Sequence, residues 1–368
     1  MHRRKIRNVL LIGLLMGFIM LSGCGEFTFM EGSYWLIRIA NINSQKSPEF
    51  ARSYSGLGSP FWSPVEDKIV CWEKDNGILL FDVASGEKAK LFNLITGESV
   101  GAIEWSPDGE KIACVVSHAS DSYGLYILNK NATTEASLSS SYEATYLDWS
   151  EDGSKLIFVQ NKNIYSVNSN GSDLRQLTDD AFDKTMPSWS QDPTKVLYNR
   201  AQGGASYEVY LVDANGTNQR ELANGEEPRW SPDGTKISFV SGEAIYLMNG
   251  DGANLQKLAD GEGPRWSPDG TQISFISAEA IYLISPSSLN AIELVSAYRI
   301  ERNSSEWSPD SKNIFYLADE TKYAATGIYV FNIADKQKVF YMTFINRGEL
   351  GNWSPDSSRF VYKGFVSD

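Results

Sequence analysis

Histidine is almost missing from this chain. Two occur in 368 residues, His2 and His118, and His2 lies in a leader argued below to be removed. One remaining histidine cannot build a multi-histidine metal centre. It also leaves a single candidate for a Ser-His-Asp or Cys-His relay. Positive charge is scarce too: 33 Lys plus Arg stand against 46 Asp plus Glu, a net charge of −13. Four of those bases (Arg3, Arg4, Lys5, Arg7) fall in the leader, so its loss makes the balance four units more negative. Nucleic acid is excluded as a partner, because binding it depends on Lys and Arg neutralising phosphates. No Gly-x-Ser-x-Gly elbow occurs, so the α/β-hydrolase nucleophile is missing. Neither a metal nor any other cofactor is expected. What is plentiful is core material: 42% hydrophobic residues and only 21% charged ones. That excludes wholesale disorder and leaves room for one large domain or two ordinary ones.

Met1 to Asn8 is basic, and Val9 to Gly23 is an uninterrupted run of apolar or small residues. At 15 residues it is shorter than the roughly 20 needed to span a bilayer as a helix, and it is built like a secretory signal. Its ending, Leu21-Ser22-Gly23-Cys24, resembles the bacterial lipoprotein box. The resemblance implies removal of residues 1–23, lipidation of Cys24, a tether over 24–33 and a membrane anchor of more than one acyl chain. The localisation expected is an exported, lipid-anchored protein. In a diderm it would reach the outer membrane and periplasm; in a monoderm, the outer face of the cell membrane.

From residue 34 onward one unit is written eight times. Trp-Ser occurs at Trp62, Trp105, Trp149, Trp189, Trp230, Trp266, Trp307 and Trp353, with neighbours 36 to 46 residues apart. Trp105, Trp230 and Trp266 open the complete Trp-Ser-Pro-Asp-Gly, whose Pro, Asp and Gly suit a tight hairpin turn. Seven and nine residues after each Trp the side chains are apolar, Ile69 and Cys71 in the first copy, Phe360 and Tyr362 in the last. A mostly apolar position between them indicates a strand covered on both faces. A third strand of aliphatic-Tyr-x-aliphatic-Asn/Asp type and a fourth, more polar one complete the unit. The basic residues six after Trp, such as Lys111 and Arg359, read as solvated bases near the turn aspartate. Cys71 and Cys114, at the same position of adjacent units, read as buried free thiols. Asp213 to Gly216 and Asn249 to Gly252 look like fragments of calcium loops, but hairpin turns account for them.

Four antiparallel strands per repeat of about 42 residues make the blade of a β-propeller. The motif resembles the TolB-type, WD40-like propeller repeat across residues 34–368. After Trp353 there is room for only two strands, while Tyr34 to Asn41 and Glu49 to Ser55 are left over at the other end. The expected fold is therefore all-β: one propeller of eight four-stranded blades, with the N-terminal strands completing the C-terminal blade. A seven-bladed or open ring is the alternative.

Binding loops on propellers lie opposite the tight turns, so the candidates are taken from that face. They are His118, Asp121, Tyr123, Asp180, Phe182, Arg200, Tyr298, Arg302 and Arg347. Glu226, Glu262 and Glu349, each four residues before a Trp, are expected to join Arg302 in a polar funnel over the central channel. Taken singly, each also reads as an ordinary surface residue. The single histidine, the acidic surface and the lack of an appended catalytic domain point to a non-catalytic, monomeric platform in the cell envelope that binds a protein or a glycan and reaches the membrane through its anchor. The alternative is an enzyme of envelope or uronate-type saccharides working with carboxylates alone (Asp121, Asp179, Glu226, Glu262). A purely structural envelope component is the third reading.

Overall fold

Each Trp-Ser opens the same hairpin, and its chemistry explains the motif. In the second copy the buried Ser106 hydroxyl donates to Asp108 Oδ1 (2.6 Å) and accepts from the Lys111 amide (2.9 Å). The Gly109 amide donates to the Ser106 carbonyl (2.8 Å). Gly109, Gly153, Gly234 and Gly270 take φ of 64 to 71°, the left-handed region that a Cβ disfavours. The serine therefore belongs to the motif as firmly as the glycine: it satisfies the turn where water is excluded. Asp213 to Gly216 forms a turn of the same economy, with Asn215 Oδ1 accepting from the Thr217 amide and hydroxyl.

The computed structural model describes residues 34–43, 49–53, 56–118, 122–132, 134–140, 143–203, 206–288, 290–302, 304–343 and 349–366. Eight antiparallel sheets follow in chain order as the blades of one propeller. Blades 1 to 7 have their innermost strands ending at Trp62, Trp105, Trp149, Trp189, Trp230, Trp266 and Trp307. Blade 8 is composite: Glu349–Trp353 pairs with Arg359–Val366, which pairs with Tyr34–Asn41, which pairs in turn with Glu49–Ser53. The N-terminal strand runs in unbroken register from Tyr34 opposite Val366 to Asn41 opposite Arg359. No interior strand edge is left open at the junction. Blade 7 departs from the repeat, because its inner strand is split into Arg299–Ile300 and Glu306–Trp307.

The core lies between blades and within them. In blades 3, 5, 6 and 7 the aromatic nine residues after Trp on the second strand stacks on a tyrosine of the third strand. Phe158–Tyr165, Phe239–Tyr246, Phe275–Tyr282 and Tyr316–Tyr329 lie 5.5 to 5.8 Å apart at 16 to 24°. In blades 1 and 2 the same position holds Cys71 and Cys114, both buried and free. Burial pushes the Cys71 thiol up to about 12, so it is an inert core group. Two of the bases six after Trp bridge blades rather than resting in solvent. Lys111 Nζ donates to the Ser169 carbonyl and hydroxyl in blade 3 (3.1 Å each). Arg359 pairs with Asp67 of blade 1 (3.2 Å) and covers the ring of Trp62.

Candidate functional site

The inner strands bend on the way to their tryptophans. Pairing with the second strand skips between Thr145 and Asp148, Thr185 and Ser188, Glu226 and Arg229, and Glu262 and Arg265. These are β-bulges, and the residue three before Trp takes a left-handed φ in each: Tyr146 (52°), Met186 (52°), Glu227 (54°) and Gly263 (61°). For Tyr and Met that conformation is a strained one, held by the surrounding sheet. Tyr146 and Met186 thereby line a central cavity of about 1020 Å³. Tyr146 is 47% exposed.

The residues immediately before each Trp form one ring, polar or charged except in blade 1. In blade order they are Phe61, Glu104, Asp148, Ser188, Arg229, Arg265, Glu306 and Asn352, and all but Glu104 and Asn352 line the cavity. Some of the ring also ties neighbouring blades together. Asp148 Oδ2 accepts from the Trp189 amide (2.8 Å), and Asn352 bonds both the amide (2.5 Å) and the carbonyl (3.1 Å) of Trp62. Indole N–H groups of Trp105, Trp307 and Trp353 donate to the carbonyls of Phe61, Arg265 and Glu306 on the preceding blade.

The charges of the ring are perturbed. Desolvation by the channel wall pushes Glu104 up to about 8, with help from Asp148. It pushes Asp148 up to about 7 against the pull of the Trp189 amide, and Glu306 up to about 7 against the pull of Arg265. Glu104 and Glu306 nonetheless keep exposed surface, as groups facing channel water do. Burial, then the charge of Arg265, lowers Arg229 to about 10, while Glu227 works the other way. Burial likewise lowers Arg265, with Glu227 and Glu306 opposing. Acidic groups thus occupy blades 2, 3 and 7, and basic groups blades 5 and 6. The column was within reach of the sequence, since aligning the repeats on Trp exposes a charged position inside an otherwise apolar strand.

The candidate loop residues fall in three places. His118 Nδ1 meets Glu98 Oε1 (2.6 Å) and its Nε2 meets the Tyr126 hydroxyl (3.1 Å), on the 117–124 hairpin that also carries Tyr123. Asp180, Phe182 and Arg200 converge on one cluster. Arg200 lies over the Phe182 ring (4.1 Å) and pairs with Asp180 (3.4 Å) and Glu208 (3.1 Å). Beneath it the fully buried Lys184, not foreseen, pairs with Asp180 and donates to the carbonyls of Phe182 (2.7 Å) and Asp180 (3.1 Å). Burial acts to raise the Asp180 carboxyl, but the bonds from Lys184 and the Phe182 amide outweigh it and hold it low. Burial holds the Lys184 ammonium below its ordinary value despite Asp180.

Of the funnel residues, Glu262 is paired with Arg302, which lines the cavity mouth. Glu226 is exposed at the start of its strand, and Tyr298 is 52% exposed in the loop before blade 7. The Glu349 backbone begins the inner strand of blade 8. Cys24, Asp121 and Arg347 lie outside the described residues. Among the described residues no cluster of three or more His, Cys, Asp or Glu could hold a metal ion.

The fold is shared with solved structures of low sequence identity. An oligogalacturonate lyase from Vibrio parahaemolyticus is 13% identical over 84% of this chain and 98% of its own, with a TM-score of 0.58. Porphyromonas gingivalis dipeptidyl peptidase 4 is 13% identical over 84% of this chain but only 56% of its own, with a TM-score of 0.62. TolB from Acinetobacter baumannii is 17% identical over 64% of this chain and 62% of its own, with a TM-score of 0.41. No curated protein matches the chain. For the lyase and the peptidase the likeness is one of fold. The profile of the TolB beta propeller domain matches residues 27–204 and 194–365, almost the whole ring, and the chain belongs to that family.

Proposed function

We propose that this protein is a non-catalytic binding platform of the cell envelope, exported and held at a membrane through lipid on Cys24. One observation carries the reading. Five aromatic side chains are strongly exposed among the described residues, and three of them sit in loops of one face: Phe182 (41%), Tyr298 (52%) and Tyr323 (90%). A fourth, Tyr146, lies in the channel wall below that face, and Phe340 alone belongs to an outermost strand. Exposed aromatics in the loops of one face, with Arg200 over the Phe182 ring, are what partner-binding surfaces are made of.

The test is retention of partners from detergent-solubilised membranes by the tethered protein. A Phe182→Ala/Tyr298→Ala/Tyr323→Ala variant that melts like its parent should lose them. Equal retention by parent and variant overturns the reading. The anchor is checked separately by labelling with a palmitate analogue, which Cys24→Ser should abolish.

A second reading has its own support. Two cavity-lining carboxyls held near neutrality, Asp148 and Glu306, are placed as general acids are in carboxylate-based saccharide chemistry. Turnover of an envelope or uronate saccharide by the purified protein, lost in Asp148→Asn, would establish it; a panel without turnover removes it.

A further inference from the structure

On the loop face the tips between second and third strands are unequal. Blades 3, 5 and 6 turn within Asn161-Lys162, Gly242-Glu243 and Ala278-Glu279. Blade 7 turns over residues 320–326, because its second strand ends at Asp319 and its third begins at Gly327. Thr321 to Ala325 are all exposed, and Tyr323 near the apex is 90% exposed. Lys322 Nζ lies 5.7 Å from the centroid of that ring, and no acid occurs from Thr321 to Ala325. The loop entering blade 7 stands beside this tip, since Arg299 pairs opposite Asp319. It adds Tyr298 (52% exposed) and the exposed Arg299 and Arg302. Acids around the two loops are engaged: Glu320 with Lys338, Glu262 with Arg302, and Asp319 with the Thr326 hydroxyl. A chain of net charge −13 thus presents, in one sector, two bare tyrosines among bases.

The shape of that sector narrows the partner. A protein hot spot is a rigid group in a packed setting. Phe182 has such a setting, with Arg200 across its ring and the buried Lys184 bonded to its carbonyl. The blade 7 tip is a projection, which suits a soft surface into which it can sink. Tyr, Lys and Arg each join an apolar body to a polar end, the combination that the headgroup region of a bilayer accepts. The position of the chain's entry points the same way. Tyr34 pairs with Val366 in blade 8, next to blade 7, and ten residues separate Tyr34 from Cys24. With Cys24 lipidated as proposed, that tether reaches at most about 35 Å and brings blades 7 and 8 to the bilayer. It also makes docking intramolecular, at an effective concentration on the order of millimolar, so two tyrosines suffice. Blade 3 lies half-way round the eight-bladed ring from blade 7, which puts Phe182 on the far rim.

We propose that blade 7 docks on the lipid bilayer through Tyr323 and Tyr298, with Lys322, Arg299 and Arg302 at the headgroups. The ring is then tilted, and Phe182 on the raised rim is left for the protein partner. The tilt also keeps the acidic bulk of the molecule off an anionic lipid surface. The proposal rests on the anchored-platform reading and divides its aromatic face between lipid and protein.

The experiment couples the mature chain through Cys24 to maleimide-bearing lipids in phosphatidylcholine–phosphatidylglycerol vesicles, whatever the cell attaches there. Cys71 and Cys114 are buried and do not compete. The reference is the same protein coupled to a hydrophilic polymer. On vesicles, amide exchange over 297–302 and 320–326 should slow at least about tenfold, while 161–162, 179–184 and 242–243 keep their rates. Tyr298→Ser/Tyr323→Ser should lose the protection. The protection is read on the parent protein, so it stands even if the variant fails to fold. Unchanged exchange in blade 7 overturns the proposal, and so does equal slowing at every tip, which means a ring lying flat. Partner retention separates the two claims. Partners lost in Phe182→Ala but kept by Tyr298→Ser/Tyr323→Ser support the division. Partners lost in the tyrosine variant, with no protection on vesicles, give all three aromatics to the protein partner and sink this inference alone. Partners kept by every variant, with blade 7 protected on vesicles, sink the platform and leave the docking.

Discussion

Ser311 and Ser357 stand where other repeats have the left-handed turn glycine, and they keep its conformation at φ 60° and 59°. Such strain costs on the order of 1–2 kcal/mol in a residue with a Cβ. The compensation is visible: Ser357 Oγ accepts the Asp310 amide of the preceding blade (3.0 Å), and Ser311 Oγ accepts the Asp269 amide (3.1 Å). Each serine trades backbone ease for a bond between blades. Ser357→Ala keeps the strain and loses the bond, so chemical denaturation should show a loss of about 1–2 kcal/mol. Ser357→Gly loses both and should be close to neutral; equal losses in the two variants would refute the trade. Asp148 gives a second prediction at this scale, with pH as the variable. Folding holds its carboxyl at about 7, well above an unfolded aspartate. The folded state therefore binds a proton that the unfolded chain lacks between about pH 4 and 7, and stability falls as pH rises through that window. Asp148→Asn copies Asn352, which makes the equivalent bond to the Trp62 amide. Allowing for screening by channel water, it should gain about 1 kcal/mol above pH 7, roughly 1–2 °C in Tm, and nothing near pH 4.

The strand and its turn are also the scale at which the sequence is readable and at which it stops being so. Period-2 runs, Trp-Ser-Pro-Asp-Gly turns and the aromatic column locate the strands of nearly every blade, because turn chemistry and burial are local signals. The split inner strand of blade 7 has no such signature. Its break at residues 301–305 is held by Ser304, whose hydroxyl donates to the Glu301 carbonyl (2.7 Å) and accepts from the Leu317 amide (3.1 Å). The channel charges, by contrast, are legible once the repeats are aligned on Trp, because they recur at one position. Glu226 and Glu262, four residues before their Trp, open the inner strands on the far side of the bulge from it. What faces the cavity is the position next to Trp, Arg229 and Arg265 among them. Loop candidates fared differently: Asp180, Phe182 and Arg200 are far apart in sequence only in part, yet what joins them is Lys184, an unremarkable lysine opening a strand. Lys184→Met should cost about 2 kcal/mol, less than the removal of a wholly buried pair because Asp180 keeps Arg200. It should also raise amide exchange over 179–184. Unchanged exchange there would mean that Lys184 does not order the loop that presents Phe182.

At the scale of the whole molecule the ring holds only if its two chain ends meet. The cluster joining blades 8 and 1 draws Ile37 and Ile39 from the N-terminal strand, Val361 from the C-terminal one, and Trp62, Ile69 and Cys71 from blade 1. Across the same seam run the Asn352 bonds to Trp62 and the Arg359–Asp67 pair. Blades 1 to 7 are each made of contiguous chain, whereas blade 8 and its junctions on both sides, with Ala40 packed on Phe315 and Leu317 of blade 7, must wait for contacts some 300 residues apart, and long-range pairing of that kind forms late. Because Tyr34 pairs with Val366 at the end of a strand that rises from the turn at Trp353, the chain enters blade 8 on the loop face. With Cys24 lipidated as proposed, a tether of ten residues reaching at most about 35 Å would keep that face, and Phe182 and Tyr298 with it, near the membrane. Closure should then govern both stability and function. Ile37 is fully buried, so Ile37→Asp places an unpaired carboxylate in the seam and should cost several kcal/mol. Deleting 34–53 goes further, exposing Arg359–Val366 as an open edge prone to pairing with a second molecule. Both variants should melt earlier and over a broader range than the parent, the deletion with aggregation that light scattering detects. A deletion variant that stays monomeric and melts as sharply as the parent would mean that seven contiguous blades are a self-sufficient unit, with the composite eighth only an appendage.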